Sequence, residues 1–153
     1  MLKHKIFIGM ICGVFGLYIM LIGLNVLPVP GGRDRLHAPL WVAICAGLVF
    51  FLAGFTTFIQ GIGRANAKGE LPADAPAWMG FLQYSSMPAI WACFAIIGTW
   101  IAIGPGERGF TGTGSNETTG RIAFGIGAVI VWLVTLAFAV GALRRYRRWR
   151  QGG

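Results

Sequence analysis

The chain has 153 residues, 56% hydrophobic and only 12% charged, with a mean hydropathy of +0.68. Its formal charge of +8 comes from 13 Lys and Arg against 5 Asp and Glu. Membrane spans and short connections use up nearly all of this length, which excludes a separate soluble domain.

Four apolar stretches, 6–27, 40–62, 78–103 and 122–143, contain no Asp, Glu, Lys, Arg or His. Each reaches or exceeds the ~20 residues that carry a helix across about 30 Å of hydrocarbon. The expected fold is an all-α integral membrane protein, a four-transmembrane-helix bundle with short loops and both termini cytoplasmic. It forms a single domain over 1–150, with a basic tail at 144–153. The empty spans also bear on function. Pumps, proton relays and many ion pathways place ionisable side chains within the bilayer to carry or compensate charge, and these spans offer none.

The first stretch follows Lys3, His4 and Lys5, as the apolar region of a secretory signal does, but it is too long for one. A cleavable signal has about 7–15 apolar residues, whereas this run continues to Pro28-Val29-Pro30, so a retained helix is expected. Gly9 and Gly13 form the first of several small-residue pairs spaced by four, which let helices approach closely in lipid. The connection 28–39 carries Arg33, Asp34, Arg35 and His37.

The second stretch opens with His37-Ala38-Pro39-Leu40-Trp41 and the third with Asp74-Ala75-Pro76-Ala77-Trp78. Proline suits a first helical turn, Trp suits the headgroup boundary, and Asp74 is placed to cap the third helix. Two independent helix starts explain this echo as well as an inverted repeat would. The second stretch holds the pair Ala43 and Gly47, then Thr56, Thr57 and Gln60 near its end. The third begins with Gln83, Tyr84, Ser85 and Ser86 ahead of Pro88, and later holds Gly98 and Ala102.

Pro88 removes the donor that would bond the carbonyl of Tyr84 and so predicts a kink, with nearby hydroxyls and amides satisfying the opened backbone. Interhelical hydrogen bonding around that kink is one reading of the polar cluster. The other is a small polar pocket for a headgroup or neutral ligand, with Gln60 and Gln83 as its specificity groups.

The connection 104–120 is rich in Gly and Thr. It lacks the Gly-Lys-Ser/Thr of a phosphate loop and the strand–helix context of a dinucleotide site. Asn116-Glu117-Thr118 matches the glycosylation triplet, which matters only in a eukaryotic source. The fourth stretch carries the pairs Ala123 with Gly127 and Ala137 with Gly141. It ends in Arg144, Arg145, Arg147, Arg148 and Arg150, interleaved with Tyr146 and Trp149. Arginines directly after a span read as a topology signal lying against anionic inner-leaflet lipid, not as a nucleic-acid site.

Counted near the spans, nine Lys and Arg fall on the side of both termini and four on the other, which favours cytoplasmic termini. Cys12, Cys45 and Cys93 form no Cys-x-x-Cys pair and read as packing residues. His4 and His37 belong to opposite ends, so no metal site and no cofactor are expected. His37 with Glu107 offers only a bare acid–base pair beside Arg108 and Glu117, with no nucleophile, so no catalytic residue is assigned. The expected function is a non-catalytic accessory, assembly or scaffold subunit of a larger membrane complex. The alternative is a small oligomeric channel or carrier for a neutral or weakly charged solute. Expected partners are membrane lipids and other membrane subunits or a second copy. The Gly-, Ala- and Arg-rich composition points to a bacterial cytoplasmic (inner) membrane.

Overall fold

Four helices follow the four apolar stretches: α1 (Leu2–Gly23), α2 (Leu40–Ile62), α3 (Ala77–Ile103) and α4 (Glu117–Arg150). The computed structural model describes residues 2–29, 31–32, 39–66, 68–72, 74–105 and 116–151, and these contain no strand. All four helices are long and apolar enough to cross a bilayer, as in an integral membrane protein.

α1 ends at Gly23, earlier than the expected Leu27. Asn25 adopts a left-handed conformation with φ 60°. Its N–H donates to the carbonyl of Ile22, and the N–H of Val26 donates to that of Leu21, both at 2.9 Å. This paired closure is the Schellman motif, and Asn is the residue after Gly that best tolerates its left-handed position. Hydropathy could not reveal the stop, because Leu24, Val26 and Leu27 continue the apolar run.

Pro39 and Pro76 each occupy the N-cap, one position before the expected first turn, and neither helix start has a side-chain cap. Asp74 therefore does not cap α3. The fixed φ of proline, −58° and −55° here, suits the extended N-cap geometry, and each carbonyl accepts the N–H three residues on. α3 runs on through Pro88. The hydroxyls of Ser85 and Ser86 donate to the carbonyls of Leu82 and Gln83, at 3.4 and 3.0 Å. They thus serve the residues ahead of Tyr84, whose carbonyl they were expected to reach.

α4 is capped by Asn116, whose Oδ1 accepts from the backbone N–H of Thr119 at 2.8 Å and from its hydroxyl at 2.7 Å. Glu117 in the first turn pairs with Arg121 at 2.8 Å, a negative charge at the positive end of the helix dipole. The helix begins before the expected Ile122 and absorbs the basic tail, reaching 34 residues. At about 1.5 Å per residue it spans about 50 Å, more than a hydrocarbon core requires.

Packing runs α1–α2, α2–α3 and α3–α4. Among the described residues α1 and α4 each meet one neighbouring helix, so the bundle is open between α2 and α4. The α1–α2 seam is made by glycines seven residues apart on each helix, Gly9, Gly16 and Gly23 on α1 and Gly47, Gly54 and Gly61 on α2, running antiparallel so that Gly9 meets Gly54 and Gly16 meets Gly47. A Cβ on Gly9 would stand 2.7 Å from the carbonyl oxygen of Gly54, and one on Gly16 would stand 2.7 Å from that of Gly47. The converse substitutions meet the same distances. Only bare backbone fits, and it gives the two helices the van der Waals contact that drives association in lipid.

α2 meets α3 through Trp41 and Trp100, edge to face at 5.4 Å, and through Cys45 against the buried Cys93. α3 meets α4 where Gly98 faces Ala128 and Ala102 faces Gly125. Trp91 stacks on Phe138 at 5.9 Å.

Candidate functional site

The start of α1, the 63–76 connection and the end of α4 share one end of the molecule. Ile6 lies against Gly61, and the indole N–H of Trp149 reaches the carbonyl of Pro72 at 3.4 Å. Close to this end the opening between α2 and α4 forms a cavity of about 700 Å³ floored by α3. Thr56, Thr57, Gln60, Gln83, Tyr84 and Ser86 all line it. The structure thus brings together six of the seven residues singled out as a polar cluster. Ser85 points to the other side of α3, where it lines a shallow groove of about 170 Å³ with Pro88 and Tyr146.

The cluster is organised by a connection that sequence reasoning passed over. Oδ1 of Asn66 accepts from the backbone N–H groups of Lys68 and Glu70, at 2.9 and 3.0 Å, and its Nδ2 donates to the Glu70 carboxylate at 2.9 Å. This Asx-type turn holds Gly69 at φ 78° and aims its carbonyl at α3, where Nε2 of Gln83 donates to it. The Gln60 amide lies beside the same glycine. Oε1 of Gln83 is buried and has no hydrogen-bond partner among the described residues. Thr57 spends its proton on its own helix, donating to the carbonyl of Ala53 at 2.8 Å. Lys68 and Arg145 complete the polar end, and no carboxylate is among the described residues that line the cavity.

The five tail arginines, Arg144, Arg145, Arg147, Arg148 and Arg150, are exposed on α4, whereas Tyr146 and Trp149 are half-buried. Tyr146 meets Phe81 edge to face at 6.1 Å, and the Trp149 ring covers Gly80. These aromatics dock the end of α4 onto α3 of the same chain.

The small residues divide by location. Gly9 and Gly47 lie in the α1–α2 seam, and Gly98 and Ala102 in the α3–α4 seam. Gly13 contributes backbone to the first seam, but a side chain there would meet nothing within 4 Å, and the same holds at Gly127. Ala123 is exposed and Ala43 is half-buried on α2. Ala137 and Gly141 line the cavity.

At the opposite end the polar links are ones that the sequence did not single out. The Trp132 indole N–H donates to the Thr99 hydroxyl at 3.1 Å, and Arg121 donates to the Gly104 carbonyl at 3.0 Å. A separate cavity of about 330 Å³ there is walled by Trp41, Trp100 and Trp132 and is almost wholly apolar. His4 is exposed on α1. Arg33, Asp34, Arg35, His37, Glu107 and Arg108 lie outside the described residues, and among those described no three His, Cys, Asp or Glu gather as a metal site would require. Comparison with protein-family models, with curated proteins and with solved structures finds no match to this chain.

Proposed function

We propose that this protein is a non-catalytic accessory subunit that assembles with further membrane helices through the free side of α4. The observation that carries this reading is that α4 packs on one neighbouring helix among the described residues while presenting a second small-residue pair, the exposed Ala123 with Gly127, where a Cβ on Gly127 would meet none of the described residues within 4 Å. The flanking Ile122, Ile126 and Ile130 are more than half exposed. In lipid such a face gains little from burial alone, but a close-packing glycine offers a partner helix the backbone approach that stabilises association. The orientation proposed with it puts both termini and the 63–76 connection at the cytoplasmic face of a bacterial inner membrane, where the exposed arginines lie against anionic lipid.

The test is the size of the complex in mild detergent. The native protein should migrate as an assembly with a stoichiometric second component. Gly127→Leu should release a monomer at least as thermally stable as the native chain, because a Cβ at this position meets none of the described residues within 4 Å and leucine is the better helix former. A native protein that is already a lone monomer would refute the proposal. The second reading, a small carrier, draws on the polar-lined cavity. Against it, the polar lining stops at one end and the far cavity is apolar. A homo-oligomer that passes a neutral solute in liposomes would favour that reading.

A further inference from the structure

We infer that the cleft between α2 and α4 is a binding site for one phospholipid with an anionic, hydroxyl-bearing headgroup, held by Lys68, Arg145 and Gln83. The cavity has two chemically distinct ends. At the membrane boundary lie two cations, two primary amides and the Tyr84 hydroxyl, and farther into the span lie Ala53, Met87, Ile90 and Phe138. Its volume of about 700 Å³ falls within the roughly 300–1,000 Å³ of small-molecule sites.

Charge selects the headgroup. Lys68 and Arg145 lie on a lining that holds no carboxylate among the described residues; Glu70 in the turn bonds Asn66 at 2.9 Å and keeps its charge, so the two cations leave this end net positive. A phosphate between those cations would form charge-assisted hydrogen bonds, which are stronger than neutral ones. Gln83 selects a feature beyond charge. Its Nε2 is committed to Gly69, so its buried Oε1 is left as an acceptor without a donor. A buried acceptor in that state is costly, and a headgroup hydroxyl beside the phosphate supplies the missing proton. The apolar half selects a lipid over a free anion. Met87 and Phe138 remain exposed along the lateral surface of their helices, so an acyl chain can leave the cleft directly into the surrounding hydrocarbon.

The experiment uses the purified full chain in nanodiscs doped with a phosphatidylglycerol carrying a photoactivatable diazirine on one acyl chain. Labelled peptides are mapped by mass spectrometry. Labelling should concentrate on the peptides containing Met87, Ile90 and Phe138, above that on the outer face of α1 at Phe7 and Val14. The double variant Lys68→Gln/Arg145→Gln should lower cavity labelling at least fivefold and leave the α1 face unchanged. Both residues are exposed, and an unaltered melting temperature confirms that the variant is folded. A phosphatidylcholine probe should label cavity and α1 face alike. Phosphatidic acid should label the cavity less than phosphatidylglycerol does, and Gln83→Met should erase that difference. Equal cavity labelling by phosphatidylcholine and phosphatidylglycerol would reduce the cleft to an ordinary position in the lipid annulus. Labelling abolished by inorganic phosphate would assign the cations to a free anion, and either result overturns the inference.

Discussion

Glycines that look equivalent in the sequence have opposite roles in the fold. At Gly54 a Cβ would press on the Gly9 carbonyl at 2.7 Å, whereas at Gly127 it would meet nothing within 4 Å. Gly54→Ala should therefore push α1 away from α2 and cost about 1–3 kcal/mol, the usual range for overpacking a close contact. Gly127→Ala should leave the isolated chain as stable or slightly more so, since alanine is the better helix former. Unfolding midpoints of the two variants in the same detergent decide this, and equal losses would show that the seam is not where these glycines place it. Asn116 is a second case. Its triplet suggests a modification site, yet its Oδ1 is engaged at the start of α4. Asn116→Ala should cost about 1 kcal/mol and Asn116→Asp almost nothing, because Asp caps equally well.

At the scale of the element, α4 differs most from a simple span. Its 34 residues exceed the length a hydrocarbon core requires, and its last turns are held on α3 where Tyr146 and Trp149 pack on Phe81 and Gly80. The arginines between them point away from that contact and stay exposed. Trp149→Ala should remove the ring that covers Gly80 and cost about 1–2 kcal/mol, less than the ~3–5 of a fully buried Trp because this one is half-exposed. The measurable consequence is local. Trypsin should cut after Arg144 to Arg148 faster in the variant than in the native protein, while the spans stay intact. An unchanged cleavage rate would mean that the docked aromatics do not hold the last turns.

For the whole molecule, the open row of helices brings the two termini and the 63–76 connection to one end, so a single labelling experiment reports on all three. With Cys12, Cys45 and Cys93 replaced by Ala, a cysteine at the exposed Val26 should react with a membrane-impermeant thiol reagent added to intact cells. One at Gln151 should react only after the membrane is opened. The opposite pattern would invert the orientation and place the proposed lipid site in the other leaflet.

The number of helices and their capacity to cross a bilayer were legible in the sequence, because a charge-free run of ~20 apolar residues has few alternatives in water or lipid. The polar cluster was legible too, since hydroxyls and amides close to Pro88 stand out against an apolar background. Three things were decided only by tertiary structure. The stop of α1 depends on one left-handed Asn25, a conformational event inside a continuous apolar run. The seam between α1 and α2 follows glycines seven apart, and spacing by four could not tell Gly9 in the seam from Gly13, whose side-chain position is open. The cavity acquires its cations from a turn after α2 and from the end of α4, segments far apart in sequence that meet over α3. Hydropathy records how much each residue favours lipid. It carries no information on which faces of equally apolar helices touch, because in a membrane that choice rests on shape and on a few hydrogen bonds.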